Sequence, residues 1–165
     1  MPTISNTELI TNDIITRLNT ITTANGYRND VAFVSKVSVS AMSETSFPQL
    51  FVYPLDSKIE AENTASTAYT EKTKFCIEGY VKTNLDGQQA GNLGDAMESL
   101  IHDVKKLLSS LPTYFINTHY WWIDVYGDGF EIDRSIDMKS MMGGFQIRFT
   151  CGSYANDDFD ARTSS

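Results

Sequence analysis

The hydrophobic pattern at the start of the chain is helical. Ser5 and Glu8 form an S-x-x-E motif, and apolar residues follow it at intervals of three or four. This motif is a capping box, which marks the N-terminus of a helix. We predict an amphipathic helix over residues 6–23. Asn25-Gly26 ends it, because both residues tolerate left-handed backbone.

A second apolar stripe, wider than the first, covers residues 88–111 and predicts a second helix that stops at Pro112. Its acidic residues come early and its lysines late, which suits the helix dipole. Gly91 and Gly94 weaken its first turns. They would also allow close approach by a strand or by a neighbouring subunit.

Other stretches alternate apolar and polar residues and predict strands. Phe75, Ile77 and Val81 share one face of such a stretch, which we expect to pack on the helices. Pro48 and Pro54 are expected to end another strand. Residues 130–137 fit either a strand or an irregular return. The predicted strands are at 31–40, 47–54, 69–83, 119–126, 130–137 and 143–154.

Residues 55–68 have little apolar periodicity and many small or charged side chains. The pattern predicts a long exposed loop or the tip of a hairpin. Such loops are uncommon inside compact domains and are often functional.

This order of elements favours an α+β fold. We expect a twisted, mainly antiparallel sheet of five to six strands with two helices packed on one face. The length of 165 residues suits one domain. We assign residues 1–155 to it and residues 156–165 to a polar C-terminal tail.

Charge and composition exclude several functions. The chain has 21 acidic and 13 basic side chains and a net charge of -8, so it is a poor candidate for tight binding to nucleic acid. The N-terminus lacks the pattern of a signal peptide. No apolar run approaches the roughly 20 residues of a membrane helix. We therefore expect a soluble protein made in the cytoplasm, with no membrane partner.

Residues able to do chemistry are scattered. Cys76 and Cys151 lie in strand patterns and are expected to be buried, reduced thiols. His102 and His119 match no metal motif and are expected at the surface. The stretch at Asp124 lacks the ligand spacing of a calcium loop. We predict no catalytic residue, no metal and no cofactor. A small enzyme or ligand-binding domain would have to use these residues.

Tyr120, Trp121 and Trp122 are consecutive, so a strand here shows aromatic side chains on both faces. Two interpretations remain open. The second face is either covered by the chain's own loops or used as a subunit contact, where Trp and Tyr are enriched.

Several local motifs carry a family resemblance. The motifs "ITTANGYRNDV", "FPQLFVYP", "FCIEGYV" and "LIHDVKKLL" occur in this order, within residues 7–152. In this order the chain resembles the tail terminator (tail completion) proteins of long-tailed bacteriophages.

The resemblance implies a structural virion protein rather than an enzyme. It would form a homohexameric ring that caps the head-proximal end of the tail tube, ends tube polymerisation and docks the head connector. DNA would pass through the ring without specific binding, and an acidic lumen would prevent sticking. The alternatives are another virion joint protein, from head completion or the neck, or less plausibly a ligand-binding or enzymatic domain.

The loop at residues 56–68 would then project toward the tail tube or a neighbouring subunit. Its deletion should leave the fold intact and abolish docking. The candidate interface residues are Tyr27, Arg28, Asp56, Lys58, Glu60, Glu62, Tyr69, Tyr120 and Trp122.

Overall fold

The structure is a computed structural model, described here for residues 5–36, 46–61, 69–82, 90–110, 113–116, 119–123, 129–137 and 139–154. It contains two α-helices and seven strands within these ranges. Their bounds are α1 Asn6–Leu18, β1 Phe33–Lys36, β2 Gln49–Ala61, β3 Tyr69–Lys82, α2 Ala90–Ser109, β4 Thr113–Ile116, β5 His119–Ile123, β6 Glu131–Asp137 and β7 Met142–Tyr154.

All seven strands belong to one sheet. Its order is β1-β2-β3-β7-β5-β4, and β6 pairs with β7 on the same side as β5. The sheet is therefore six strands wide, with β5 and β6 end to end along β7. Only β1 and β2 pair in parallel, and the other described pairs are antiparallel. The predicted α+β class with a mainly antiparallel sheet is confirmed.

The start of α1 is the predicted capping box. The Glu8 N–H donates to Ser5 Oγ at 3.2 Å, and the Ser5 N–H donates to Glu8 Oε2 at 3.0 Å. The helix ends at Leu18, earlier than the expected residue 23. The Asn19 side-chain amide donates to the Ile15 carbonyl and the Thr20 hydroxyl donates to the Arg17 carbonyl, so these side chains share the carbonyls of the last turn with the backbone N–H groups of the same residues.

Helix α2 covers most of the range predicted for it; residues 88, 89 and 111 lie outside the described part. A Cβ placed on Gly94 would meet nothing within 4 Å. Within the described chain, no strand makes the close approach that we expected at this glycine.

The core lies between the two helices and one face of the sheet, which we call the helix face. Alternation on β3 and β7 is as predicted, because Phe75, Ile77, Ile147 and Phe149 are buried there. Phe75 and Phe149 stack with ring centroids 6.1 Å apart. The helices supply Ile10, Ile14, Leu18, Leu93, Met97, Leu100, Ile101, Val104, Leu107 and Leu108.

Strand β2 corrects the predicted boundary at Pro54. It continues to Ala61 and pairs with β3 over its distal part, from Ser57 opposite Thr73 to Ala61 opposite Tyr69. The first half of the predicted loop is therefore strand, and residues 62–68 lie outside the described part. A register shift between Pro54 and Ser57 absorbs the proline, which cannot donate to the ladder.

Two further strands complete the picture. Within the predicted range 130–137, Glu131–Asp137 form a regular strand, β6, in a hairpin with β7. Residues 113–116 form β4, which the sequence analysis did not identify. Of the strand predicted at 31–40, Phe33–Lys36 form β1, residues 31 and 32 precede it, and residues 37–40 lie outside the described part. The assigned tail, residues 156–165, lies outside the described residues.

Candidate interaction surface

The joint between α1 and β1, at residues 23–30, is fastened to α2 by one buried carboxylate. Asp103 on α2 is fully buried. Its Oδ2 accepts the backbone N–H groups of Arg28 and Asn29 at 3.0 and 2.9 Å, and the Asn29 side-chain amide at 2.8 Å. A carboxylate bonded in this way has its buried charge compensated. The joint is therefore built into the fold.

Tyr27 and Arg28 both lie on this joint, as the sequence places them, but they differ in exposure. Tyr27 is half-buried against the core, and Lys106 Nζ lies 5.0 Å from its ring centroid while donating to the Gly26 carbonyl at 2.9 Å. Burial, followed by the Asp103 charge, raises the pKa of Tyr27. Arg28 is exposed. Only Arg28 offers most of its side chain to a partner.

The sheet face turned away from the helices, which we call the far face, carries a polar network around Glu78. Its carboxylate accepts from the Tyr53 hydroxyl at 2.7 Å, the Tyr80 hydroxyl at 3.1 Å and the Gln146 amide at 2.9 Å. Burial and the Glu78 charge raise the pKa of Tyr80 to about 12. Burial also raises the pKa of Tyr53, and Cys76 and Glu78 add to it. Both tyrosine hydroxyls therefore stay protonated and donate to the Glu78 carboxylate.

A charged ladder continues this network across β3, β7 and β6. Arg148 donates to Glu131 at 3.3 Å and also bonds Asp133, and Lys74 lies 3.6 Å from Glu131. The two carboxylates raise the pKa of Arg148. These charges neutralise one another within the chain, so this ladder does not present a strong field of one sign.

The far face also has an aromatic part near β1. The Phe33 and Phe51 ring centroids are 5.9 Å apart, and those of Phe51 and Tyr80 are 6.0 Å apart, both edge-to-face. Phe51 is only 3% exposed. This part of the far face is thus a second, smaller apolar cluster rather than an open surface.

The distal part of β2, which begins at Leu55, is exposed at all of its described side chains, residues 55–59. Asp56 and Lys58 are exposed, as predicted for the projecting residues. Leu55 and Ile59 are 44% and 57% exposed, although both are large and apolar. The charged residues of this segment were predicted from the sequence, whereas the two apolar residues were not. Ser57, Ile59 and Ala61 lie two positions apart, and this strand-like spacing was the sequence signal that could have indicated them.

The aromatic strand β5 divides its side chains between the two faces. Trp121 is buried in the core, and its Nε1 donates to Asp13 on α1 at 2.7 Å. Trp122 is half-buried on the far face. Its ring occupies the space above Gly152, where a Cβ would collide with it. One face of this strand therefore belongs to the core. On the other face, the Trp122 indole packs over Gly152, where there is no side chain in its way.

Backbone pairing brings two of the predicted interface residues into one row. Lys58 is opposite Lys72, Lys72 is opposite Gly152, and Gly152 is opposite Trp122. The row crosses the distal end of the far face from one strand to the next. Tyr27 and Arg28 lie elsewhere, at the α2 joint, so the predicted residues form at least two separate regions.

The remaining predicted residues are placed only by their backbone or not at all. Glu60, Tyr69 and Tyr120 lie in β2, β3 and β5. Glu62 lies outside the described residues. Ile136, at 44% exposure on β6, is a further exposed apolar residue that the prediction missed. The spacing of Ile132 and Ile136 on one face of a strand could have indicated it.

Candidate catalytic groups are not assembled into a site in the described part of the chain. Cys76 and Cys151 are free and buried, and burial raises the pKa of both thiols. A raised thiol pKa disfavours the nucleophilic thiolate. His102 is exposed on α2, whereas the side chain of His119 and all of Asp124 lie outside what is described. No cluster of three metal-ligating side chains occurs within the described ranges.

A surface groove of about 360 Å³ runs along α2 between His102, Lys105 and Arg134. Arg134 pairs there with Glu98, and Lys106 bonds the Gly26 carbonyl. These cations are thus used within the fold, and the groove gives no specific support to a ligand-binding function.

Two wider observations complete this description. Among the helices described, none has the length and apolar character needed to cross a membrane. Neither the protein-family models nor the curated proteins compared with this chain give a match.

Proposed function

We propose that this chain is a structural assembly protein that acts through its sheet edges and its β2–β3 hairpin. Within that class, the best-supported interpretation is that it is a phage tail terminator. In this role it forms a ring at the head-proximal end of the tail tube, ends tube polymerisation and provides the docking surface for the head connector. The motif resemblance within residues 7–152 supports the assignment to the tail terminators within this class.

One observation carries the proposal: the distal part of β2. Leu55 and Ile59 are exposed there on a strand that also bears exposed Asp56 and Lys58. An exposed edge strand with apolar side chains is a hazard for a monomer, because it templates pairing with other chains. Proteins normally cover such an edge. A protein that assembles with copies or partners has a reason to keep it.

The buried polar groups support assembly rather than catalysis. Asp103 is occupied by backbone N–H groups, and Glu78 accepts three side-chain hydrogen bonds. Both carboxylates therefore serve the fold. An enzyme would instead require polar groups that converge on a free pocket.

The net charge of -8 supports a ring through which DNA passes without adhering, because like charges repel. In the proposed assembly the acidic side chains would line the lumen, and the protein would be located in the virion. A ring structure with its acids confined to the outer wall would contradict the lumen part of this proposal.

Electron microscopy of purified protein, alone and mixed with tail tubes, tests the function directly. Rings at one end of the tube are expected, and tubes should stop growing when the protein is added. Rings on a head portal, with bare tube ends, would instead identify a neck protein. If no ring of either kind formed at any protein concentration, the structural proposal would be wrong.

A charge reversal in the hairpin makes the test specific. Lys58→Glu should remove tube capping, because Lys58 is exposed on the distal part of β2. Lys105→Glu is the matched control, because Lys105 is exposed on α2, away from the hairpin. Deletion of residues 56–68 is no longer suitable, since it would remove strand residues paired with β3. Equal capping by both variants would exclude the hairpin from docking.

A further inference from the structure

Apart from the outer edges of β1 and β4, which are the terminal strands of the sheet, two further strand edges lack a pairing strand among the described residues. The first is the outer edge of β2 at residues 57–61, because β1 pairs with β2 only from Gln49 to Val52. The second is the outer edge of β6, which pairs with β7 on its other side. Each edge carries an exposed isoleucine, Ile59 on β2 and Ile136 on β6.

These two edges cannot meet within one chain. They bound opposite sides of the four-strand run β2-β3-β7-β6. Along β3, Ile59 is level with Glu71, whereas Ile136 is level with Val81 through Gly143. Ten residues of strand correspond to about 33 Å at roughly 3.3 Å per residue. Any contact between the edges must therefore join two copies.

Direction and face nevertheless match between copies. Each neighbouring pair in the run β2-β3-β7-β6 is antiparallel, so β2 and β6 run in opposite directions. A second copy in the same orientation thus brings its β6 antiparallel to the free edge of β2. Ile59 and Ile136 both lie on the helix face, because their register partners alternate with the buried residues of β3.

The geometry points to a second copy of this chain as the occupant of the β2 edge. β6 of one copy pairs antiparallel with residues 57–61 of the next, and Ile59 lies opposite Ile136. The same register places Lys58 opposite Asp137. Apolar pairs and opposite charges directly across an antiparallel ladder stabilise it. The contact covers two of the exposed apolar side chains with one register.

Other pairings of these edges are less complementary. Parallel pairing with the same isoleucines opposed would place Glu60 opposite Asp137, and like charges in that position are destabilising. Two β6 edges paired over their full length would oppose Glu131 and Asp137. Two β2 edges would oppose Lys58 and Glu60 favourably, but they would leave Ile136 uncovered. They would also close as a two-fold dimer.

The inferred contact is heterologous, since different edges of the two copies meet. Such contacts close into a ring or extend as a filament, depending on the rotation between copies. The inference deepens the proposed function and, where it describes a ring, rests on it. The pairing itself can be tested without tail tubes.

Disulfide trapping tests the pairing. Ile59→Cys and Ile136→Cys are made singly and together, and the protein is oxidised alone and with tail tubes. The native thiols Cys76 and Cys151 are buried and serve as an internal control. Residues directly opposite on a ladder are close enough for a disulfide. Covalent multimers are expected from the double variant and from mixed single variants, and none from either single variant alone.

Dimers from Ile59→Cys alone would overturn the inference in favour of two-fold β2 pairing. A double variant that stays uncrosslinked both alone and with tubes would overturn it as well. Because both isoleucines are exposed, we expect each variant to keep its fold, and urea unfolding of each variant checks this.

A charge exchange tests the register. Lys58→Asp should weaken association by about tenfold, since it places like charges opposite each other. The double variant Lys58→Asp with Asp137→Lys should restore it. Asp137 also accepts the Lys139 N–H at 3.0 Å, so Asp137→Asn, which keeps an acceptor, controls for the turn. Failure of the double variant to recover association, measured by sedimentation velocity, would exclude this register.

The two proposals fail separately. Tubes capped by rings that do not crosslink between positions 59 and 136 would leave the terminator function standing and remove the inferred contact. Crosslinked multimers that never cap a tube would do the reverse.

Discussion

The two halves of the β2–β3 hairpin share one backbone ladder and differ in what covers them. In the proximal half, Leu50 and Val52 lie beside Phe75 and Ile77, and all four are fully buried under the helices. Beyond the register shift at Pro54, the strand continues with β3 as its partner but with exposed side chains. Ile59, only seven residues after Val52, is 57% exposed.

The comparison separates two functions of one hairpin. Burial of apolar area stabilises the proximal half at about 25 cal/mol per Å². The distal half keeps its hydrogen bonds to β3, but its described β2 side chains are exposed and contribute little apolar burial. Substitutions in the proximal half should therefore change folding, and substitutions in the distal half should change association.

Phe75→Ala should have the largest effect. Phe75 is fully buried and stacks on Phe149, so its removal leaves a cavity in the core. We expect a loss of about 4 kcal/mol in the free energy of unfolding. Ile59→Ala in the distal half should cost less than about 0.5 kcal/mol. Urea unfolding of both variants measures the difference, and similar losses would refute the division of the hairpin.

Asp103→Ala extends the comparison to a polar part of the covered region. It leaves the N–H groups of Arg28 and Asn29 without their acceptor. We expect a loss of about 3 kcal/mol, because buried donors without a partner are costly. The control is Asp95→Ala, an exposed acid on the same helix. If both substitutions cost the same in urea unfolding, the joint does not depend on the carboxylate.

Two glycines in the strands that flank each other provide a matched test of crowding. A Cβ on Gly79 would collide with the Phe145 ring, and one on Gly152 would collide with the Trp122 ring. Phe145 is buried, whereas Trp122 is only half-buried. Gly79→Ala should therefore cost about 2 kcal/mol, and Gly152→Ala about half of that. The reverse order in thermal or urea unfolding would contradict this.

The smallest effect is a dependence of stability on alkaline pH. The pKa of Tyr80 is raised to about 12 in the folded chain, against about 10 in an unfolded one. The neutral hydroxyl therefore stabilises the fold fully below pH 10, and this stabilisation is lost as the pH rises through 12. Urea midpoints should fall over this window, and less so in Tyr80→Phe. Identical pH profiles would show that Tyr80 does not contribute.

Much of the fold follows from sequence periodicity, because a core between helices and a sheet imposes it. The apolar stripe of α2 and the alternation of β3 and β7 are direct consequences of one covered face. The end of β2 could not be predicted in this way. Pro54 suggests a stop, and the register shift interrupts alternation. None of the described residues forms a core over the distal part that would require apolar side chains there. Strand β4 is too short to show a period.

The candidate surface was predictable only in part. Asp56 and Lys58 were identified because charged side chains indicate exposure. Ile59 and Ile136 were missed because isolated apolar residues normally indicate a core. The bond from Asp103 to the joint joins residues that are 75 positions apart, and no local pattern predicts such a partner.

The same separation has a kinetic consequence. The N–H groups of Arg28 and Asn29 receive their acceptor from a helix that is synthesised much later, so these hydrogen bonds cannot form during early translation. Contacts of this length slow folding, because a long loop must close before they form. Docking of α2 and fixation of the turn should therefore be a single late event. A chain truncated before residue 103 would leave the N–H groups of Arg28 and Asn29 without their carboxylate acceptor.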